Sequence, residues 1–239
     1  MRYSIIIPCY NEARNLPQCG QRLLDALDQM LPAGEFEVRF VCDGVTDDTK
    51  ERLQTLHHPA MHIDSYETNR GKGYAVRYGM LCAKGDIRLF CDCDLAYGTE
   101  AIGQMLAQME ETDAHVCVAS RRLHPDGYEG YTFLRRFVSS VYYIMIRCLT
   151  GLKLSDSQSG LKAFEGKMAE KIFSLAEIDR FAFDLEVLML ADRLGCRMTE
   201  MPARIIENSP SSIRLSDPFR MLRDVLRIRR RVRKLKLTP

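Results

Sequence analysis

The sequence predicts an α/β protein with a mostly parallel, doubly wound sheet that carries helices on both faces. Short apolar segments rich in β-forming residues alternate with amphipathic segments over residues 1–120, and the links between them are short. One strand followed by one helix, repeated, is typical of a parallel sheet. The 239 residues, 46% of them hydrophobic, are enough to bury the core of one large domain.

Five strands and four helices are predicted in this first part. Pro8 ends the first strand, Asn15 precedes the first helix, and Asp43-Gly44 turns the chain from the second strand towards the second helix. The predicted strands cover residues 3–7, 36–42, 61–66, 86–91 and 114–120. The first predicted helix begins near residue 15, and the other three cover residues 46–56, 74–82 and 99–109.

After Ser120 the regular alternation ends. We expect a polar loop over residues 121–131, a mostly apolar helix over 132–149, and a loop containing Gly and Ser over 151–166. A further helix over residues 183–194 and a last strand over 196–206 follow. We therefore expect one large α/β domain, residues 1–217, and a basic amphipathic tail, residues 218–239.

The charge of the chain is unevenly distributed. The formal net charge is +2, and because the tail contributes +8, the preceding residues together carry −6. The tail places apolar residues at helical spacing among Arg and Lys, as a helix lying on a membrane surface would. We favour that interpretation slightly over a last helix packed on the domain, and nucleic-acid binding ranks third because the acidic body argues against it. The apolar residues of this stripe are Phe219, Leu222, Val225, Leu226, Val232 and Leu235.

Composition also bears on the compartment. The nine cysteines follow no regular metal-ligand spacing, so we expect free thiols in a reducing compartment. The first apolar run is too short for a signal peptide, and no uninterrupted apolar run approaches the roughly 20 residues that cross a bilayer. The expected location is cytoplasmic, at most peripheral on the cytoplasmic face of a membrane.

Two aspartates follow the fourth predicted strand. Alternation along a strand would send Asp92 and Asp94 to the same face, beyond the carboxyl end of the sheet where α/β proteins bind ligands. Carboxylates that converge there favour a shared divalent cation. The alternative is a polar turn in which Asp94 caps the next helix.

Polar residues follow the other strands as well, and together they predict a nucleotide site. Asp43 would accept a hydrogen bond from a base, and Glu12 would contact the ribose. Arg70 and Lys72 would face phosphates. The chain lacks G-x-G-x-x-G after its first strand and lacks a Walker loop, which argues against dinucleotide and P-loop chemistry. Taken singly, these residues also suit helix caps, turns and solvated charges.

Seven motifs in collinear order resemble the family-two glycosyltransferases with the GT-A fold. They are I-I-I-P-C-Y-N-E, V-C-D-G-x-x-D-D-T, N-R-G-K-G-x-A-V-R-x-G-M, G-D-I-R-L-F-C-D-C-D-L-A, A-S-R-R, S-D-S-Q-S-G-L-K and F-A-F-D-L-E. Within that family the chain is similar to the dolichyl-phosphate β-glucosyltransferase and polyprenyl-phosphate sugar synthase branch. The resemblance spans about residues 1–205.

The resemblance implies roles for individual residues. It places Lys72 near the donor phosphates and makes Asp92 and Asp94 the pair that binds Mg²⁺ or Mn²⁺. It places Arg121 beside the donor or acceptor phosphate, and Gln158 and Lys162 in an acceptor loop. The nucleoside site would be lined by Pro8, Tyr10, Glu12 and Asp43.

The chain departs from the family pattern at several positions. Cys42 replaces the first acid of the usual D-D-G-S turn, Val45 replaces its Ser, and Arg180 stands where Gly commonly precedes F-A-F-D. A Trp often found near residues 204–206 is absent. These changes bear on the donor base and the acceptor, while the two aspartates are kept.

The implied reaction is an inverting transfer of a hexose from a nucleoside diphosphate sugar to polyprenyl or dolichyl phosphate. UDP-glucose is the favoured donor and GDP-mannose the other candidate. Because a phosphate monoester with a second pKa of about 6 is already ionised at neutral pH, it needs cations more than a base. Arg121 and Lys162 are the expected cations, and Asp94, Arg121, Asp184, Gln158 and Lys162 are the catalytic candidates.

Two other functions compete with this one. A glycosyltransferase acting on a soluble, protein or glycan hydroxyl would need a general base, for which Asp184 or Glu186 is the candidate, although both also suit helix-start capping and an internal ion pair. A non-catalytic module that binds nucleotide sugars ranks last, since it would not need both aspartates. A separate membrane protein that presents the lipid is a further candidate partner.

Overall fold

The structure, a computed structural model, describes residues 1–129, 131, 133–180, 182–206 and 217–235. Its strands form one mixed sheet, and its helices cover both faces of that sheet. The strands are β1 (Tyr3–Cys9), β2 (Phe36–Asp43), β3 (Met61–Tyr66), β4 (Ile87–Phe90), β5 (Val116–Ser120), β6 (Lys162–Glu165) and β7 (Met198–Pro202).

Helices connect most of these strands. The first four alternate with β1 to β5, as the sequence predicts, and α1, α3 and α4 each bury apolar residues against the sheet. The helices are α1 (Leu16–Met30), α2 (Thr49–Gln54), α3 (Lys72–Cys82), α4 (Gly98–Glu111), α5 (Phe133–Thr150), α6 (Gly166–Leu175), α7 (Phe183–Arg193) and α8 (Asp217–Lys234).

The strand order in the sheet is β3-β2-β1-β4-β6-β5-β7. Strands β1 to β4 pair in parallel, β6 runs antiparallel between β4 and β5, and β7 pairs in parallel with β5. The prediction of a mostly parallel sheet with helices on both faces is therefore confirmed. All strands except β6 direct their carboxyl ends to one edge of the sheet.

Two apolar clusters lie on the two faces of the sheet. One is built from α3, α6, α7 and α8, and includes Phe173, Leu188 and Ile228. The other is built mainly from α1 and α4, and includes Leu24 and Met105. These side chains are less than 1% exposed, so each face of the sheet is shielded from solvent.

Strand β6 and helix α6 correct the prediction for the region after α5. The sequence predicts a loop over residues 151–166, but β6 begins at Lys162 within it and α6 follows directly. Phe90 of β4 and Val118 of β5 both pair with Lys162. A strand of four residues that begins with a Lys offers too short an apolar pattern to be recognised.

The C-terminal helix α8 packs against α5 and α7, and this corrects the prediction of a free membrane-surface helix. Val225, Ile228 and Val232 are at most 1% exposed and belong to the same cluster as α7. Leu226 is 37% exposed, and the side chains of Phe219 and Leu222 lie outside the described residues. Val225 and Val232 of the apolar stripe are therefore buried in the domain and are not free to enter a bilayer.

Two further expectations concern membranes and cysteines. Within the described ranges, none of the helices combines the length and the apolar character that a transmembrane span requires. None of the nine cysteines, all of which lie in described parts of the chain, forms a disulfide bond.

Candidate active site

The two aspartates after β4 lie in a turn rather than in the strand. Strand β4 ends at Phe90, and the amide of Leu95 donates to the carbonyl of Asp92 at 3.0 Å. The side chain of Asp94 accepts a hydrogen bond from the amide of Ala96 at 3.1 Å, so it stabilises this turn, but it does not cap the next helix, α4, whose N-cap residue is Tyr97. Both aspartates are half-buried at the carboxyl edge of the sheet. Asp92 and Asp94 therefore form a polar turn, and from the same positions they can also bind a ligand at this edge.

Lys72 forms an ion pair with Asp92. Lys72 is the first residue of α3, and its ammonium group contacts Oδ1 of Asp92. Burial alone would lower the pKa of Lys72, but the carboxylates of Asp92 and Asp184 more than offset burial and raise it. Lys72 is therefore held as a cation beside the candidate metal ligands.

Asp92 has room for its carboxylate only because residue 160 is a glycine. A Cβ atom at Gly160 would lie 2.1 Å from Oδ2 of Asp92. The predicted acceptor loop thus touches the candidate metal pair through its backbone. Gln158, two residues earlier in that loop, is half-buried.

The donor atoms at this edge fit a divalent metal that binds together with a phosphate ligand. Asp92 and Asp94 offer carboxylate oxygens, which Mg²⁺ and Mn²⁺ prefer. Among the residues that the structure describes, no group of three or more His, Cys, Asp or Glu could hold a metal ion. Mg²⁺ commonly uses one or two protein carboxylates and completes its shell with water and substrate phosphates. The pair suits that mode of binding.

Asp43, the predicted base contact, holds a neighbouring loop. It is 3% exposed, and its two carboxylate oxygens accept hydrogen bonds from the amides of Arg70 and Gly71 at 2.7 and 2.8 Å. Its backbone carbonyl accepts a third from Asn69 at 3.1 Å. The structure therefore assigns Asp43 the task of shaping the segment that leads to Lys72, and contact with a base stays a prediction.

Glu12 lies beside the metal pair. Burial raises the pKa of Glu12, a hydrogen bond with the Cys93 thiol lowers it, and the negative charge of Asp94 raises it further. Its backbone amide donates to Thr49 Oγ1 at 2.8 Å, which ties the β1–α1 loop to the start of α2. Asp47 supports the same link, because its Oδ2 accepts from the amide of Ala13 at 3.2 Å.

The other two nucleoside-site candidates differ in exposure. Pro8 is buried within β1, whereas Tyr10 is 49% exposed just after that strand. Of the two, Tyr10 is the one whose side chain is open to a ligand from solvent.

Lys162, one of the two expected acceptor cations, is fully buried. Because β6 is antiparallel, its first residue lies at the carboxyl edge of the other strands. Its ammonium group donates to Oδ1 of Asp184 at 2.6 Å and to the carbonyl of Ser159. Burial lowers the pKa of Lys162 and raises that of Asp184. Direct contact of Lys162 with an acceptor stays a prediction, and it would require this ion pair to open.

Arg121, the other expected cation, is paired with Asp156. Its Nε and Nη2 donate to the two carboxylate oxygens of Asp156 at 2.6 and 2.9 Å, and its Nη1 donates to the hydroxyl of Tyr131 at 3.2 Å. Burial opposes the charge of Arg121, but the Asp156 carboxylate outweighs it and raises its pKa. Arg121 is therefore a cation whose charge is already balanced by the carboxylate of Asp156.

Several residues of this edge could not be singled out from the sequence. Glu200 on β7 accepts hydrogen bonds from the amide and hydroxyl of Ser155 at 2.7 and 2.6 Å, and so holds the loop that carries Asp156. Tyr97 lies near Arg121, and burial raises its pKa to about 12. Asp156 sits inside the S-D-S-Q-S-G motif, which is the one signal that could have identified it.

Glu186 is directed into the core and not towards the site edge. It is 0% exposed, its Oε2 accepts the amides of Glu177 and Ile178 at 2.9 and 2.8 Å, and its Oε1 accepts from Arg231 at 2.5 Å. The alternative of an internal ion pair is the one that the structure supports for Glu186. Asp184, which is 6% exposed, also lies in an ion pair.

Comparison with known proteins identifies relatives of the chain. Residues 4–173 match the family described as glycosyl transferase family 2. A dolichyl-phosphate beta-glucosyltransferase of Drosophila melanogaster is 31% identical over 226 residues, which cover 89% of this chain and 69% of that protein. A dolichyl-phosphate beta-glucosyltransferase of Dictyostelium discoideum is 29% identical over 242 residues, which cover 95% of this chain and 73% of that protein.

A solved structure shows the same fold. Glucosyl-3-phosphoglycerate synthase from Mycobacterium tuberculosis, crystallised with Mn²⁺, UDP-glucose and phosphoglyceric acid, superimposes with a TM-score of 0.64 at 18% identity. The superposition covers 97% of this chain and 79% of that chain. The fold of this chain is the α/β GT-A fold.

Replacement of Gly160 by Ala tests the contact between the acceptor loop and Asp92. The added Cβ would force the carboxylate of Asp92 away from Lys72, so Mn²⁺ bound in the presence of UDP should weaken at least about tenfold, or 1.4 kcal/mol. Titration of Mn²⁺ by electron paramagnetic resonance measures this affinity. Ser157→Ala, in the same loop, is the matched control. A lowered melting temperature with unchanged Mn²⁺ affinity would contradict the assignment.

Proposed function

This chain belongs to glycosyl transferase family 2, and from that premise we propose that it transfers glucose from UDP-glucose to dolichyl or polyprenyl phosphate. The observation that carries the proposal is the Lys72–Asp92 ion pair beside Asp94, at the edge where α/β proteins bind ligands. A cation and two carboxylates at one point suit a metal-bound diphosphate. The similarity to dolichyl-phosphate beta-glucosyltransferases supports the choice of glucose and of a lipid phosphate.

The donor would lie across the carboxyl ends of β1, β2 and β4. Asp92 and Asp94 would hold Mg²⁺ or Mn²⁺, which when bound supplies positive charge to the leaving diphosphate. Lys72, held on the first turn of α3, would place a second positive charge near the phosphates. Asp43 keeps the segment before Lys72 in one conformation, and Tyr10 and Glu12 lie where a nucleoside would pass.

The chemistry is a single displacement at the anomeric carbon. A phosphate oxygen of the acceptor forms the new bond as the bond from carbon 1 to the diphosphate oxygen breaks, and UDP leaves with the electron pair. Approach from the opposite face inverts the configuration. The contribution of the protein is to hold the two reactants in line and to stabilise the charge on the leaving group.

The burial of the two carboxylates that could serve as a base favours a phosphate acceptor. A hydroxyl acceptor needs a base within hydrogen-bond reach, but Asp184 is 6% exposed and bound to Lys162, and Glu186 is 0% exposed and bound to Arg231. A phosphate is already ionised near neutral pH and needs no base. The buried state of both acids therefore supports a phosphate acceptor.

A lipid acceptor also requires a surface that meets a membrane. Val141 and Ile144 on α5 are 51% and 58% exposed, and Cys148, one turn further along the helix, is exposed as well. Helix α8 packs on α5 and keeps Arg227 and Arg230 exposed. We assign the membrane contact to the apolar face of α5 together with the cations of α8, on the cytoplasmic side because nine free thiols suit a reducing compartment.

A panel of donors and acceptors tests the proposed reaction. With Mg²⁺ and dolichyl phosphate, UDP-glucose should give a labelled lipid extractable into organic solvent, at a rate at least about tenfold above GDP-mannose. Dolichol, which has a hydroxyl in place of the phosphate, should give no product. Asp94→Asn serves as the inactive control. Transfer to dolichol or to a soluble sugar, with none to dolichyl phosphate, would overturn the proposal.

Sedimentation with anionic liposomes tests the membrane surface. Replacing Val141 and Ile144 together by Ser should reduce the bound fraction, because it removes the apolar area that enters the interface. Replacing Arg227 and Arg230 together by Gln should reduce binding at low salt and have less effect at high salt.

Leu81→Ser is the matched control for this surface, since Leu81 is 42% exposed on a different helix, α3. Equal binding by the wild type and both double variants would show that the membrane contact lies elsewhere.

A further inference from the structure

Glu186 is a buried charge whose two oxygens serve different elements. Oε2 accepts hydrogen bonds from two consecutive backbone amides, those of Glu177 and Ile178, in the loop between α6 and α7. Oε1 accepts a hydrogen bond from Arg231 of α8. A buried carboxylate is stable only when its charge is balanced and its lone pairs are occupied. Glu186 therefore joins the loop over residues 175–179 to the C-terminal helix.

Arg231 binds that loop directly as well. Its Nη2 donates to the carbonyl of Leu175 at 2.5 Å, and its Nε lies 2.8 Å from Oε2 of Glu177. The next residue, Val232, and Ile228 one turn earlier are 0% exposed, so the helix cannot rotate without losing apolar contacts. Arg231 is thus held by packing on its own helix, while its Nε and Nη2 bind residues 177 and 175 of the loop and its Nη1 binds Glu186 of α7.

The same loop presses on the first turn of α3. The carbonyl of Asp179 accepts the amide of Tyr74 at 3.1 Å, and its carboxylate accepts Nη2 of Arg77 at 2.6 Å. The approach is so close that a Cβ atom at Gly73 would lie 2.6 Å from the carbonyl of Ile178. A Cβ atom at Gly71 would likewise lie 2.6 Å from the carbonyl of Asp179, so the loop contacts the backbone on either side of Lys72.

We propose that Arg231 is a positioning residue for donor binding. It acts through Glu186 and the loop over 175–179, which hold Lys72 against Asp92, and it contacts no substrate itself. The identity of the donor in this inference rests on the proposed function. The basic C-terminal helix would then be a part of the donor site and not only a membrane contact.

The physical reason is that removing one partner of a buried ion pair leaves the other charge buried and unpaired. Without Arg231, the carboxylate of Glu186 would remain buried with an unbalanced charge, a more costly state than the loss of a surface pair. The loop can relieve that cost by moving Glu177 and Ile178 outwards, which releases the turn that carries Lys72. The expected defect is mainly in donor binding, because the variant keeps every side chain of the donor site and loosens only the backbone that presents Lys72.

Arg231→Met and Glu186→Gln test the proposal together. Each should raise KM for UDP-glucose about tenfold, equivalent to 1.4 kcal/mol, with kcat within about twofold of the wild type. The double variant should be no worse than either single variant, because both remove the same link. Amide hydrogen exchange should become faster in residues 175–180 and also in 71–76.

Two matched controls loosen α8 without touching the loop. Val232→Ala removes buried apolar contacts, and Arg193→Gln removes the hydrogen bond from Arg193 to the carbonyl of Leu235. If either control raises KM as much as Arg231→Met, the effect is general loosening of the helix and the proposal is overturned. Unchanged exchange in residues 71–76 of Arg231→Met would overturn it equally.

A milder variant covers the case in which Arg231→Met does not fold. Arg231→Lys keeps a charge near Glu186 but cannot reach Glu177 and Leu175 at the same time, so it should give intermediate exchange and KM. The exchange experiment needs no substrate. If UDP-glucose proved not to be the donor, faster exchange at 71–76 in the Arg231 variant would still support the link to Lys72.

Discussion

The ion pair between Lys72 and Asp92 is the interaction on which the site depends. It joins the first turn of α3 to the turn after β4, the next strand along the chain, at the carboxyl edge of the sheet. Each partner has its own support. Asp43 holds the segment before Lys72, and the backbone of Gly160 leaves space for Asp92.

Two further ion pairs lie along the same edge of the site. Lys162 with Asp184 and Arg121 with Asp156 repeat the arrangement on β6 and β5. Charges in partly buried positions must be balanced before any ligand arrives, and these pairs provide that balance. A metal-bound diphosphate and a phosphate acceptor would exchange partners with charges that are already in position, which is the form of preorganisation that catalysis requires.

The sequence predicted the parts of this site that come from local patterns. Strand ends and the polar residues after them are visible as an apolar run followed by a turn, so the positions of Asp43, Lys72, Asp92 and Asp94 followed from β2, α3 and β4. Pairing between distant residues was not visible. The partner of Arg121 is 35 residues away, and Lys162 lies at the edge only because β6 is antiparallel. For the same reason the prediction treated Arg121 and Lys162 as open cations.

The C-terminal helix shows the limit of such patterns most clearly. Apolar residues at helical spacing among Arg and Lys describe a membrane helix and a packed helix equally well. Two features of the structure decide between a membrane helix and a packed helix. Arg231 balances the buried charge of Glu186 on α7, and Val225 and Val232 belong to the apolar cluster that α7 also lines. The spacing of apolar residues within one segment does not show which surface that segment packs against.

Mn²⁺ and nucleotide titrations of Lys72→Met test the central claim, that the donor site is built on the Lys72–Asp92 pair. Without nucleotide, the variant should bind Mn²⁺ more tightly than the wild type, because Asp92 loses its competing cation. With Mn²⁺ present, it should bind UDP-glucose at least about tenfold more weakly, or 1.4 kcal/mol, whereas Lys84→Met, at an exposed lysine just after α3, should match the wild type. Unchanged affinity for both ligands in Lys72→Met would contradict the account.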